Sequence, residues 1–301
     1  MKKLFFLMIP LFTACMGSNN ENAVAQRRIP IARSAYKTIR PSIHYTNIFS
    51  EPKMTNLVMI GKVGKYGVGG DDGKLLRALR FKDIAAAVER RYNLPPHILL
   101  AMVAQESSGV DLLPNGQDDG GFGLCHMQPL LANQFGLKTY AGCKSMRCTK
   151  HGVVLRKIIE RNKFDRKKVI QYDDRFHPIL NLDAAARMLT FYVSGKRIAG
   201  LGPFRTALCR YAGKYNYRTY WSNVKRFMSK LEDPAYMAKI EKQFNKLNPR
   251  LTINGKKADF DSYMNACWQQ QYNYGLTEYR KLPLLLPENS MIVLKTYRKF
   301  L

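Results

Sequence analysis

Residues 95–136 read PPHILLAMVAQESSGVDLLPNGQDDGGFGLCHMQPLLANQFG, and the fold turns on this stretch. The run from His97 to Gln105 is apolar nearly all round, which predicts a buried helix rather than a surface one. Pro95 and Pro96 stand where prolines are tolerated at a helix start. Glu106 therefore emerges at the C-terminal end of a core helix, and a Gly-rich turn and a second helical run follow it. A carboxyl group held against apolar side chains is disfavoured as an anion, so its pKa rises and it stays a proton donor near neutral pH.

Upstream, Phe81, Ile84, Ala85 and Val88 fall at helical spacing, with Lys82, Asp83, Glu89, Arg90 and Arg91 mostly off that face. Asn93-Leu94 breaks this helix. Downstream, Gly152 to Asn162, Asn181 to Ser194 and Phe204 to Tyr211 also read as helices. There is no sustained alternating strand and no internal repeat, so the fold class expected is mainly α. Residues 61–74, GKVGKYGVGGDDGK, fail the phosphate-loop pattern because Leu75 follows Lys74 where a hydroxyl is required. They are expected to form a flexible loop leading into the helical part. Residues 16 to about 50 are polar, basic and aperiodic, as a tether would be. From about Lys225 the chain is basic and helix-rich, ending in a Leu/Pro segment, Leu282 to Pro287.

The 301 residues suffice for one large domain or two small ones, and 46% hydrophobic content supports a sizeable core. Lys and Arg number 49 against 22 Asp and Glu, a net charge of +27 that attracts polyanions: nucleic acid, anionic lipid or an acidic wall polymer. Lys2 and Lys3 precede the apolar run Leu4 to Phe12 and then Thr13-Ala14-Cys15, which describes a secretory signal. The run is shorter than the roughly 20 residues of a spanning helix. Export makes nucleic acid an unexpected partner. The other cysteines are Cys125, Cys143, Cys148, Cys209 and Cys267. In an oxidising compartment they can form disulfides, and Cys143 and Cys148 are close enough to bridge a loop. Their spacings offer no close ligand pairs for zinc. No metal or cofactor is expected.

Three blocks carry a family resemblance. Glu106-Ser107 followed by Gly123-Leu124-Cys125-His126-Met127-Gln128-Pro129 resembles the active-site segment of lytic transglycosylases and goose-type lysozymes. His126 stands at the family's Gln position, and Gln128 sits two residues later. The segment from Phe176 to Ala185 resembles the family's F-x-P-x-x-N helix start, with Asn181 a natural helix cap. Thr206 to Gly213 resembles the block whose tyrosine lies near the catalytic carboxyl, here Tyr211. The resemblance covers about residues 80 to 220. It implies a lysozyme-like catalytic domain over 76–224, preceded by a tether over 15–75 and followed by a basic extension over 225–301. It further implies that Glu106 protonates the glycosidic oxygen between N-acetylmuramic acid and N-acetylglucosamine. Ser107, Gly123, Leu124, His126, Gln128 and Tyr211 would line the glycan site. His151 and His177 are read as capping or packing residues. The aromatic group Tyr211, Tyr215, Tyr217, Tyr220 and Trp221 offers ring faces to sugars, with part of it in the core.

Residues 1–14 also resemble a bacterial lipoprotein signal, which implies acylation at Cys15, a lipid-anchored periplasmic protein and Met16 as an outer-membrane sorting residue; a plain secretory signal is the alternative. Glycoside hydrolysis normally needs two carboxyl groups. A transglycosylase needs one, because the muramic acid's own C6 hydroxyl attacks intramolecularly and leaves a 1,6-anhydro end. Asp118 and Asp119 keep a second outcome open. Either can activate water and make the protein a muramidase, or both can be turn residues beside Gly120-Gly121. A third reading is a wall-binding lipoprotein that grips peptidoglycan strands without cleaving them.

Overall fold

The computed structural model describes residues 70–110, 112, 119–213, 217–247 and, in short pieces, 252–253, 256–257, 259, 261–262, 264–265 and 274–282. The expected signal at 1–14, the acylated Cys15, the tether as far as residue 69, Asp118, Tyr215 and Cys267 lie outside the described residues. The protein is mainly helical. Among the described residues the strands are β1 (Thr252–Ile253) and β2 (Lys256–Lys257), an antiparallel pair.

α1 (Gly70–Leu79) begins inside the Gly-rich segment expected to be a loop. Packing overrides the local glycine signal here: Leu75, Leu76, Ala78 and Leu79 are buried, and Asp71 and Asp72 occupy the first turn, where the helix dipole favours acids. The described helical body therefore includes residues 70–75, inside the segment assigned to the tether.

α2 (Lys82–Arg91) buries the predicted face of Ile84, Ala85 and Val88, with Phe81 flanking it. Two of its charged residues are buried as well, against the expectation. Glu89 accepts hydrogen bonds from the backbone N–H groups of His97 and Leu99, at 3.0 and 2.8 Å. It thus satisfies orphan donors at the start of the next helix. Arg91 lies over the Tyr279 ring and 4.0 Å from Asp183.

α3 (Ile98–Glu106) is buried from Ile98 through Ala104, as its all-round apolar pattern requires. Pro95 and Pro96 precede it in a turn, and His97 at its start takes a left-handed conformation. α4 (Pro129–Gln134), α5 (Thr149–Arg161) and α6 (Arg166–Ile170) follow. α5 and α6 cover a small second core of Leu112, Phe122, Leu155, Ile158, Ile159, Val169 and Phe176.

α7 (Pro178–Ser194) packs on α2 and on α8 (Pro203–Ala212), and α9 (Tyr217–Glu232) packs on α3 and α8. α10 (Pro234–Leu247) and the short α11 (Leu276–Arg280) complete the described body. Residue 224, the expected end of the catalytic part, falls inside α9. Phe227, Met228, Ile240, Leu276 and Tyr279 join the same core as α3. Of the described part of 225–301, α9, α10 and α11 are thus built into the body. Asp183 on α7 fastens α11, accepting from Tyr92 at 2.9 Å and Tyr279 at 2.6 Å beside Arg187 at 3.0 Å. Asp71 binds α1 to α9 through Lys230 at 2.8 Å and Arg226 at 3.1 Å.

Cys125, Cys143, Cys148 and Cys209 are unpaired, so the bridge that the spacing of Cys143 and Cys148 would permit is not formed. Among the described residues no helix is long and apolar enough to cross a membrane, and no cluster of side chains could hold a metal ion.

Candidate active site

Glu106 is the last residue of α3, and its side chain, 20% exposed, lines a cleft of about 330 Å³. Gln105, Ala212, Thr219 and Tyr220 form the rest of the lining. Burial pushes the Glu106 carboxyl up to about 7. The nearby Tyr220 hydroxyl opposes that rise, although it makes no hydrogen bond of normal geometry, and the Asp119 charge adds to it. A carboxyl with that pKa is part-protonated near neutrality, as a general acid must be.

The turn that faces Glu106 closes through Phe122 and Met127, each donating its N–H to the other's carbonyl, at 3.3 and 3.0 Å. Gly123 has φ +81°, and a Cβ there would overlap the Arg175 carbonyl and the Asn181 side-chain amide. Asn181 is fully buried; its Oδ1 accepts from the Cys125 N–H at 2.9 Å and its Nδ2 donates to the Arg175 carbonyl at 3.0 Å. Asn181 lies in the first turn of α7, so the helix carries the pin that sets the turn. The cap of that helix is His177, whose Nδ1 accepts from the Leu180 N–H at 3.4 Å.

His126 occupies a left-handed position in the turn, φ +42°, and its Nδ1 stands 4.0 Å from Glu106 Oε2. Of the residues predicted to line the site, it is the one whose polar atom faces the acid. Tyr211 donates its hydroxyl to the Cys125 carbonyl at 2.7 Å and stacks on Tyr220, ring centroids 6.2 Å apart. Burial and the nearby Glu106 hold its hydroxyl well above the ordinary tyrosine range. Tyr211 therefore braces the turn beside the acid.

The other predicted residues do structural work. The Ser107 hydroxyl donates to the Val103 carbonyl and accepts from the Gly109 N–H, both at 3.2 Å, closing α3. Leu124 is buried in the main core. Gln128 turns away from Glu106 and accepts from the Arg147 N–H at 3.2 Å. Asp119 accepts from the Gly121 N–H at 3.1 Å, the geometry of an Asx turn, yet its charge still reaches Glu106. The Trp221 ring is engaged by cations: the Arg205 guanidinium lies over it at 4.4 Å, with Lys225 at 5.8 Å.

Two buried groups around the site went unread in the sequence. Arg175 and Asp173 are both fully buried and paired through two bonds, Nε to Oδ1 at 2.9 Å and Nη2 to Oδ2 at 2.8 Å. Arg175 Nη1 donates to the carbonyls of Gly120 and Met127, at 2.6 and 2.9 Å, clamping both ends of the turn. Its Nη2 lies 2.7 Å from His151 Nε2, and burial together with that cation pulls the imidazole down to about 4. His151 is a packing partner, as read. The hydropathy pattern gives no sign of this pair, because buried and solvated ions look alike in sequence.

No family model, no curated protein and no solved structure matches this chain, so the site is read from its own geometry.

Proposed function

We propose that this protein is a peptidoglycan lytic transglycosylase with a lysozyme-like catalytic body. In this reading Glu106 donates its proton to the glycosidic oxygen between N-acetylmuramic acid and N-acetylglucosamine. The same carboxylate then takes the proton of the muramic acid C6 hydroxyl as that oxygen closes on C1, giving a 1,6-anhydro end. The observation that carries the reading is the Glu106 carboxyl itself: at the end of a buried helix, open to a cleft, with its pKa raised to about 7. The turn around it supports the same reading, since His126, Tyr211 and Asn181 all bear on the ground that faces the acid. The apolar start of the chain, with Cys15 as its acylation site, fits a lipid-anchored enzyme of the periplasm working on the wall.

A muramidase is the second reading, favoured by one observation: the Asp119 charge is felt at Glu106. Against it, an Asp119 oxygen is engaged by the Gly121 N–H. Digestion of purified sacculi followed by mass spectrometry of the released muropeptides separates the two. Anhydro-ended products are expected; reducing ends would assign the hydrolase instead. Glu106→Gln should lower cleavage by about 10³-fold. A wild-type chain that binds sacculi but never cleaves them would overturn both enzymatic readings.

A further inference from the structure

The surface formed by the end of the 140s, α5 and α6 is a second feature that the cleft does not use. On α5, Lys150, Val153, Lys157 and Arg161 are exposed at spacings of three to four residues, which places them on one face. Arg147 precedes this row and Lys167 extends it, both exposed. Glu160 is the exposed acid on that face of the helix, and Asp165 is occupied in capping α6 through the Lys168 N–H. Among the described residues no ion pair engages Arg147, Lys150, Lys157, Arg161 or Lys167.

Val153 stands within this row, Met146 adjoins Arg147 in the chain, and Tyr172 follows α6. Met146 is 48% exposed, Val153 36% and Tyr172 41%; only Ile198 is a comparably exposed large hydrophobic elsewhere among the described residues. Tyr172 and His151 both contact the Tyr140 ring, at 6.4 and 6.3 Å between centroids, so the tyrosine stands beside the start of α5. Beneath the face, Leu155, Ile158, Ile159 and Val169 hold α5 and α6 on one small core. The face is therefore presented as a unit.

We propose that this face docks on the surface of an anionic lipid bilayer. Cations alone would serve any polyanion, including carboxylate-bearing wall stems or nucleic acid. Exposed Met, Val and Tyr among them fit an interface where headgroup charge and acyl chains are met together. Tyrosine is at home at that depth, with an apolar ring and a polar tip. A face of this kind would set how the body lies against the membrane, apart from any acyl group at Cys15. The inference is independent of the activity proposed for the cleft.

Vesicle co-sedimentation of the full-length chain carrying Cys15→Ser, which removes acylation, tests this. Vesicles of phosphatidylglycerol and phosphatidylcholine are compared with pure phosphatidylcholine, and with soluble heparin as a polyanion lacking acyl chains. Preferential binding to the anionic vesicles is expected. Combined Lys157→Gln, Arg161→Gln and Lys167→Gln should lower that partition roughly a hundredfold. Combined Met146→Ser and Val153→Ser should lower it roughly tenfold while leaving heparin binding unchanged. Unaltered thermal unfolding midpoints show that both variants fold. Vesicle binding unaffected by the apolar variant would overturn the proposal in favour of a general polyanion surface. Vesicle binding unaffected by the cation variant would remove this face from membrane contact altogether.

Discussion

Glu106 and His126 face one another across 4.0 Å, from Oε2 to Nδ1, one at the end of a buried helix and the other on a strained turn. Whenever the imidazole is protonated it favours the carboxylate and holds back the proton that an acid must deliver. His126→Gln removes the cationic state and leaves Glu106 with burial and the Asp119 charge. The basic limb of the pH–rate profile for sacculus cleavage should then move to higher pH, by up to about one unit. A limb that stays in place or moves down would show that His126 does not act on the acid.

The raised Glu106 pKa also costs stability at neutral pH. The folded carboxyl titrates at about 7 against an ordinary 4.5, so between those values the folded state holds more of the proton than the unfolded chain does. Stability from this group is fully present below pH 4.5 and is lost as pH rises through about 7. Glu106→Gln removes the charged state. Denaturant unfolding should find the variant more stable than wild type by about 2–3 kcal/mol at pH 8, and equal to it near pH 4. A variant less stable at pH 8 would mean the carboxylate is well accommodated after all.

The turn should tolerate no side chain at 123. A Cβ at Gly123 meets a carbonyl and a buried amide rather than the flexible end of a side chain, and φ +81° disfavours any L residue there. Gly123→Ala is expected to cost about 2–4 kcal/mol and to lower cleavage, since the shift carries His126 with it. An unchanged unfolding midpoint would show that the turn relaxes freely.

What the sequence discloses and what it hides follows from the physics of each element. α3 is legible because the apolar run from Ile98 to Ala104 can only be buried, and Glu106 is legible because it ends the helix that carries that run. Asn181 is legible as a cap by residue type, but its job differs: His177 caps α7, while Asn181 bonds Cys125 across the chain. Ser107 follows the resemblance in sequence and Gln128 sits two residues late of it, and both spend their hydrogen bonds on backbone. Tyr220 lies in a group read as partly ring platform and partly core; it is buried and faces the acid. Glu89 and Arg175 are hidden, because the partners that make their burial affordable are tertiary neighbours.

Arg175 should be among the most sensitive positions in the molecule. Asp173→Ala leaves a fully buried guanidinium without its counter-ion, which typically costs about 3–5 kcal/mol. The cost should appear in denaturant unfolding together with a loss of cleavage, because the same guanidinium clamps Gly120 and Met127. Substitution with little effect on either would show that water enters and replaces the carboxylate.

Glu89 governs the other end of the helix that carries the acid. Its carboxyl is pushed up to about 8 by burial, and the amide bonds from Leu99 and His97 pull against that rise. Glu89→Ala orphans both N–H donors at the start of α3, which should cost about 1–3 kcal/mol. Glu89→Gln keeps one acceptor oxygen but turns an amide N–H toward a backbone donor, so it should recover only part of the loss. Full recovery by Gln would mean that a neutral group suffices and that one N–H is satisfied elsewhere. Because α3 is a single rigid element ending in Glu106, the Ala variant should also lower cleavage more than binding. A fall in stability with kcat unchanged would separate the two ends of the helix.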